Sequence, residues 1–235
     1  MAPRGRRGIG SDRLFPFANL VPLANDSRPP YGAGRRLAVL ISGRGSNLQS
    51  IIDAIAHGRL EATIAIVISN RSDAPGLIRA REASIETLCL NPRDHPSRDL
   101  YDRAIVDVLR ARDVDLVCLA GFMRLVGHPL LEAFPDRILN IHPSLLPAFP
   151  GLDAQRQAHE HGVRMTGATV HLVTSELDSG PIVLQAAVPV LDDDTLDTLS
   201  ARILIEEHRI YPEAIRIVLD GGWSISGRRF VRSRR

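Results

Sequence analysis

The chain of 235 residues carries 29 basic and 27 acidic residues, for a formal net charge of +2, and 44% of its residues are hydrophobic. This length suits one globular domain or two small ones, and it allows a sizeable core to be buried. All 29 basic residues are Arg, and the lack of Lys excludes Schiff-base chemistry, pyridoxal phosphate attachment and a P-loop lysine.

The positive charge is concentrated at the two ends of the chain. Residues 1–36 contain seven Arg and two Asp, and residues 221–235 contain five Arg and no acid, so the segment between them is net acidic. Residues 1–34 are rich in Arg, Pro and Gly without a sustained apolar period, which predicts a disordered extension. We expect the functional domain over 35–222 and a basic C-terminal tail over 223–235. We interpret both basic ends as solvated rather than as nucleic-acid-binding surfaces.

From residue 36 onward, short apolar runs alternate with segments of helical spacing. Strands are predicted over 37–41, 62–69, 85–90, 115–120 and 138–141, and helices around 48–55, 74–83 and 97–112. Because near-continuous apolar strands alternate with helices, we predict an α/β fold whose mostly parallel, twisted sheet has helices on both faces. Two further strands, 166–174 and 181–190, precede a long helix over 195–219. They predict antiparallel strands at one edge of the sheet.

Apolar runs and cysteines bear on where the protein is located. No apolar run approaches the roughly 20 residues that a membrane-spanning helix needs, and we expect no membrane partner. Cys89 and Cys118 lie in strand-like runs, where a free thiol usually acts as a small buried hydrophobe. Two such cysteines argue against a disulfide framework or a zinc site and favour a cytoplasmic location.

The loop Gly43-Arg-Gly-Ser-Asn47 lies between a predicted strand and a predicted helix, where helix N–H groups can bind an anion. Glycines such as Gly45 let the backbone approach a phosphate closely, and Ser46 and Asn47 can add hydrogen bonds. Leu48 occupies the third glycine position of the dinucleotide fingerprint, so a monophosphate is favoured over a dinucleotide. The alternative is an ordinary strand–helix turn with a polar cap.

Asn140 and His142 end a predicted strand, two residues apart, so their side chains point the same way. Ligands in parallel-sheet folds bind at such strand ends. Asn can donate to a developing oxyanion, and His can supply a proton near neutral pH. The alternative is that a His before Pro143 is simply a capped loop residue. Asp178 lies in a turn and is either an ordinary turn acid or a partner of His142 that raises the imidazole pKa.

Taken together, these segments resemble the phosphoribosylglycinamide formyltransferase family. The resemblance runs from about residue 36 to residue 220, with its motifs in order and at compatible spacing. It rests on Ser42-Gly-Arg-Gly-Ser-Asn47, Leu119-Ala-Gly-Phe-Met-Arg124, Asn140-Ile-His-Pro-Ser-Leu-Leu-Pro147 with Pro150-Gly-Leu152, and Glu176-Leu-Asp-Ser-Gly-Pro181.

The resemblance implies the formyltransferase fold and a role for each matched residue. Asn140, His142 and Asp178 correspond to the catalytic groups. Gly45, Ser46 and Asn47 correspond to the phosphate-binding loop, and Glu207 corresponds to an acid beside the acceptor ribose. The implied folate contacts are Arg98, Met123, Arg124, Leu125, Val126 and Asn140. The chain departs from the family at Ala154-Gln155, where a Thr-His pair is frequent.

The implied reaction transfers the formyl group of 10-formyltetrahydrofolate, a co-substrate, to the amine of glycinamide ribonucleotide in purine (IMP) biosynthesis. No metal is implied, and the partners are these two small molecules, for a monomer or homodimer. The nearest alternative is a 10-formyltetrahydrofolate hydrolase that uses the same three catalytic residues with water. A methionyl-tRNA formyltransferase and a non-catalytic nucleotide- or nucleic-acid-binding protein fit the motifs less well.

Overall fold

The computed structural model describes residues 35–233, so the extension expected over 1–34 lies outside the described residues. The described residues form nine strands and six α-helices. The strands are β1 (Arg36–Ile41), β2 (Thr63–Ser69), β3 (Thr87–Cys89), β4 (Leu116–Leu119), β5 (Ile138–His142), β6 (Met165–Leu172), β7 (Ile182–Pro189), β8 (Trp223–Ser226) and β9 (Arg229–Arg232). The helices are α1 (Ser46–Ala56), α2 (Gly76–Glu82), α3 (Arg98–Arg110), α4 (His128–Ala133), α5 (Ala154–His161) and α6 (Leu196–Asp220).

All these strands join one sheet in the order β3-β2-β1-β4-β5-β6-β7-β9-β8. The first five strands of this order pair in parallel. β6 then pairs antiparallel with both β5 and β7. The predicted mostly parallel sheet with antiparallel strands toward one edge is therefore confirmed.

Helices cover both faces of this sheet and create two cores. In β1, the alternate residues Leu37, Val39 and Ile41 belong to one core, which also contains side chains from α1, α2 and α6. Ala38 and Leu40 belong to the other core, together with side chains from α3 and α4. A strand buried on both faces needs apolar residues at every position, which explains the continuous apolar run at this point in the sequence.

Some elements and the exposure of one cysteine differ from the sequence-based expectations. The helices α4 and α5 were not predicted, nor was the hairpin β8–β9, which forms within the described part of the predicted basic tail and pairs with β7. The rings of Trp223 and Phe230 stack across this hairpin with centroids 4.9 Å apart. The expectation that both cysteines are buried is wrong for Cys89, which is exposed at the end of the short edge strand β3, whereas Cys118 in central β4 is buried.

Candidate active site

The carboxyl ends of three neighbouring strands bring the candidate residues to one edge of the sheet. Parallel pairing places Leu40 of β1 beside Leu119 of β4, and Leu119 beside Asn140 of β5. The glycine-rich loop follows β1, the connection 120–127 follows β4, and His142 ends β5. Because adjacent strands lie about 4.8 Å apart, these segments occupy one continuous region.

The loop after β1 requires glycine and exposes the start of a helix. Gly45 precedes α1 with a left-handed φ of 71°, a conformation that glycine adopts without strain. A side chain at this position would also bring its Cβ within 2.6 Å of the Gly76 Cα. The first N–H groups of α1, which begins at Ser46, have no partner within the helix. They therefore have no intrahelical partner that would compete with an anion.

Glu207 of α6 lies beside this loop although it is 160 positions from Asn47. The Asn47 Nδ2 donates to Glu207 Oε2 over 2.6 Å. Burial raises the pKa of the Glu207 carboxyl, and the hydrogen bond from Asn47 partly opposes that rise. The Asn47 Oδ1 is buried without a hydrogen-bond partner among the described residues. The structure thus joins the loop to the acid that the resemblance assigned to the acceptor site.

His142 is buried, and its two ring nitrogens have different partners. Nε2 lies 2.8 Å from the carbonyl oxygen of Phe149, which can only accept, so Nε2 carries the proton. Nδ1 lies 3.5 Å from Asp178 Oδ2. The expectation that Asp178 lifts the His142 pKa above its ordinary value is wrong. Burial lowers this pKa and outweighs the opposing effects of the Phe149 carbonyl and the Asp178 charge.

Asp178 is held as a carboxylate between a backbone amide and two histidines. The Gly151 N–H donates to its Oδ2 over 2.8 Å, and His171 Nε2 lies 3.6 Å from Oδ1. Burial raises the pKa of the Asp178 carboxyl, but His171 and His142, when their rings are protonated, and the Gly151 N–H outweigh that rise, and the pKa lies below its usual range. Asp178 therefore carries a negative charge beside His142 near neutral pH.

His171 also fixes the orientation of Asn140. Its Nδ1 lies 3.0 Å from the carbonyl of Leu172, so Nδ1 carries the proton and Nε2 accepts. The Asn140 Nδ2 donates to this Nε2 over 3.2 Å. Sequence reasoning missed His171, and it equally missed the backbone contributions of Phe149 and Gly151. The signal that identifies His171 is its direct pairing with Asn140 across β5 and β6. This signal can be used only when the register of the two strands is known.

Two of the residues matched to folate contacts, Arg98 and Val126, line a cavity of about 600 Å³. Arg98 and Val126 line it on one side and Val173 and Thr174 on another, and the Arg98 Nη2 donates to the Val126 carbonyl over 2.7 Å. Cavities of about 300–1,000 Å³ are typical of small-molecule sites. The side chains of Met123 and Leu125 are largely exposed nearby in sequence. Asn140, His142 and Asp178 do not line this cavity, although Val173 is only two residues from His171.

Arg124 and the Ala154-Gln155 pair complete the predicted set. The Arg124 guanidinium lies 5.2 Å from the centre of the Tyr101 ring, so that side chain is turned toward α3. Ala154 is buried and Gln155 is half-buried at the start of α5, where the family frequently has Thr and His. Among residues 35–233, no cluster of His, Cys, Asp or Glu is arranged to hold a metal ion. Nor does any helix in this range combine the length and apolar character needed to cross a membrane.

Comparison with known proteins identifies the family. The sequence profile of the formyl transferase family matches residues 35–215. This chain belongs to the formyl transferase family. Phosphoribosylglycinamide formyltransferase of Escherichia coli is 48% identical over 79% of this chain and 87% of its own length. The crystal structure of glycinamide ribonucleotide transformylase 1 from Symbiobacterium toebii matches with a TM-score of 0.84 and 59% identity, covering 86% of this chain and 96% of that one.

Two further matches set limits on these comparisons. The human trifunctional purine biosynthetic protein adenosine-3 is 48% identical over 79% of this chain, but this chain spans only 18% of its length. A formyltetrahydrofolate deformylase from Pseudomonas syringae matches with a TM-score of 0.77 at 24% identity, covering 87% of this chain and 67% of that one. At that identity the likeness concerns the fold alone.

Proposed function

We propose that this chain transfers the formyl group of 10-formyltetrahydrofolate to the amine of glycinamide ribonucleotide, a step of purine biosynthesis. One observation carries the proposal: a helix start that can bind an anion follows β1, and a buried His–carboxylate pair lies at the end of β5, with only β4 between these two strands. The first suits the phosphate of a nucleotide acceptor, and the second suits proton transfer beside a reacting carbonyl. The similarity to E. coli phosphoribosylglycinamide formyltransferase supports the same conclusion.

The acceptor binds at the loop after β1. The N–H groups at the start of α1 and the Ser46 hydroxyl hold the phosphate, and the helix dipole favours its negative charge. Asn47 and Glu207, already hydrogen-bonded to each other, offer acceptors to the ribose hydroxyls. With the phosphate and the ribose held in this way, the glycine amine of the acceptor extends along the strand ends toward Asn140 and His142.

The folate binds beside the connection after β4. The cavity bordered by Arg98, Val126 and Val173 is large enough for a heterocycle, and the cation of Arg98 can pair with a carboxylate of the folate tail. The exposed side chains of Met123 and Leu125 supply apolar contact. The formyl carbon is thereby directed toward the end of β5.

The reaction begins when the unprotonated acceptor amine attacks the formyl carbon. The carbonyl π pair moves to oxygen and creates a tetrahedral oxyanion, toward which Asn140 Nδ2 donates its second N–H. The His142 Nε2–H also donates to the oxyanion once its hydrogen bond to the Phe149 carbonyl is broken. The C–N bond to the folate then breaks as the oxyanion collapses, and the folate nitrogen receives the proton that the attacking amine gives up.

Asp178 supports the proton transfer. The unprotonated Nδ1 of His142 faces the Asp178 carboxylate, so a proton taken up by the ring at Nδ1 is stabilised at once by an adjacent negative charge. Burial disfavours the imidazolium in the unliganded site, and the charge of Asp178 offsets part of that cost. The negative charge of the developing oxyanion favours the imidazolium further, so His142 becomes protonated as the oxyanion forms.

The decisive experiment is to follow folate release with and without glycinamide ribonucleotide. Purified protein is incubated with 10-formyltetrahydrofolate, and both tetrahydrofolate and formylated acceptor are quantified. Release that requires the acceptor and matches formylated product in a one-to-one ratio supports the proposal. Equal release without the acceptor would instead assign the chain to the hydrolase reaction.

Replacing Ser46 and Asn47 with Ala should raise KM for glycinamide ribonucleotide much more than KM for the folate. Each substitution removes a hydrogen bond near a charged or buried group, which typically contributes about 1.5–3 kcal/mol, so the acceptor KM should rise by at least about tenfold. Steady-state kinetics with each substrate varied in turn makes the comparison. If the folate KM rises by the same factor, the loop belongs to a different ligand.

A further inference from the structure

The connection after β4 contains four residues, 123–126, that we assign to folate contacts. Of its apolar side chains, Phe122 and Val126 are partly buried against one core, whereas Met123 is 68% exposed and Leu125 is 59% exposed. A binding surface on such a connecting segment depends on neighbouring elements that fix its backbone. The hydrogen bonds to this backbone therefore govern how well the segment is arranged for its ligand.

Ser42 anchors the beginning of the connection. Its N–H donates to the Gly121 carbonyl over 3.1 Å, and its Oγ accepts from the Met123 N–H over 2.8 Å. Ser42 immediately follows β1, so this anchor links the connection to the acceptor loop.

Asp102 of α3 anchors the end of the connection. Its Oδ2 accepts from the Gly127 N–H over 2.6 Å, next to the Val126 carbonyl that Arg98 binds. Arg98 and Asp102 are four positions apart and so lie on the same face of α3. One helix face thus holds both polar groups of the Val126–Gly127 peptide, its carbonyl and its N–H.

The burial of Asp102 has no explanation in core packing. Asp102 is only 3% exposed, and a buried carboxylate costs free energy that an apolar side chain would not. The other acids of α3, Asp99 and Asp107, are exposed. Burial raises the pKa of the Asp102 carboxyl, while the Gly127 N–H and the cations Arg98 and Arg124 oppose that rise. Burial of this carboxylate therefore costs free energy. Its principal hydrogen-bond partner in the buried position is the Gly127 N–H of the connection.

Gly127 lies so close to Asp102 that a side chain would not fit between them. Its φ of −95° suits any residue, so backbone conformation does not require glycine here. A Cβ at this position would instead overlap the Asp102 Oδ2. The absence of a side chain is what allows the carboxylate to approach the N–H.

We propose that Asp102 is a positioning residue for the folate: its carboxylate fixes the Gly127 end of the connection and so holds residues 123–126 ready for the ligand. Asp102 acts through the backbone and does not touch the folate itself. The identity of the ligand rests on the proposed function, whereas the anchoring of the connection does not.

The kinetic test compares Asp102→Ala and Asp102→Asn with the control Asp107→Ala, which removes an exposed carboxylate from the same helix. Losing the carboxylate that accepts from the buried Gly127 N–H should raise the folate KM of Asp102→Ala by about tenfold or more. Asp102→Asn keeps one acceptor oxygen and should show a smaller rise. KM for glycinamide ribonucleotide and kcat should stay within about twofold of wild type, as should every constant of the control.

A second readout does not depend on the reaction. Hydrogen exchange of the amides over 121–127, measured in the unliganded protein, should be faster in Asp102→Ala and unchanged in Asp107→Ala. Gly127→Ala should reproduce both signatures, since the new methyl group displaces the carboxylate. It also provides a test if Asp102→Ala fails to fold.

The exchange and kinetic results distinguish failure of the anchor, of the positioning role and of the proposed function. Unchanged exchange over 121–127 in both Asp102→Ala and Gly127→Ala would overturn the anchor, and equal increases in both KM values of Asp102→Ala would overturn the positioning role. If the wild type shows no acceptor-dependent transfer, the proposed function fails, while the exchange data still decide whether Asp102 anchors the connection.

Discussion

Asn140→Ala should lower kcat by about 10²–10³-fold, the loss that follows removal of one oxyanion donor. The orientation of the Asn140 amide is fixed because its Nδ2 donates to His171 Nε2 over 3.2 Å. One of its two N–H groups is used there, and the second remains for the oxyanion. Since the negative charge exists only after attack, kcat should fall by a much larger factor than either KM rises. Steady-state assays at saturating concentrations of both substrates measure the loss.

Asn140→Asp is the size-matched comparison. It keeps the shape of the side chain but replaces the N–H donor with a carboxylate oxygen, which repels the oxyanion. Its kcat should therefore be no higher than that of Asn140→Ala. A kcat for Asn140→Ala within tenfold of wild type would show that Asn140 is not a principal oxyanion donor.

The parallel half of the fold could be predicted because its inner strands are buried on both faces. β1 and β2 contribute side chains to the cores on both sides of the sheet, so their sequences are continuously apolar and easy to recognise. The elements that were missed lack such a signal. In α5 only Ala154 and Ala158 are buried, and β8 and β9 are four-residue strands near the outer edge of the sheet that contain no buried residue.

The candidate site was predicted where its residues are adjacent in sequence and missed where tertiary pairing creates the contact. Asn140 and His142 end one strand, and their strand position is visible in the sequence. His171 becomes their neighbour only through the antiparallel register of β5 and β6, which hydrophobic patterning does not define. Asp178 was identified through the resemblance, and its 3.5 Å approach to His142 depends on the path of the β6–β7 connection.

The pKa of His142 shows why electrostatics is harder to predict than residue identity. The sequence correctly suggested a nearby carboxylate, which by itself favours the imidazolium. The degree of burial depends on side chains from several elements that pack around the ring, and here it dominates. A partner can be inferred from a motif, whereas desolvation can be judged only from the folded structure.

Asp178→Asn should lower the His142 pKa further and reduce kcat by at least about 10²-fold, the lower end of what general acid–base groups contribute. In the wild type, burial lowers this pKa below its ordinary value of about 6.5, and the Asp178 charge acts in the opposite direction. Without this charge, Asp178 no longer opposes the lowering of the His142 pKa by burial. The imidazolium is then populated only at lower pH, and less of it forms when the oxyanion develops.

NMR titration of the His142 ring in wild type and variant measures the pKa change directly. Glu176→Gln provides the matched control, because it removes an exposed carboxylate two positions away in the same connection. That control should leave both the pKa of His142 and kcat close to wild type. An equal His142 pKa in wild type and Asp178→Asn would remove Asp178 from its electrostatic role, even if kcat collapsed. Any loss of activity would then be attributed to the Gly151 N–H, whose acceptor the substitution also alters.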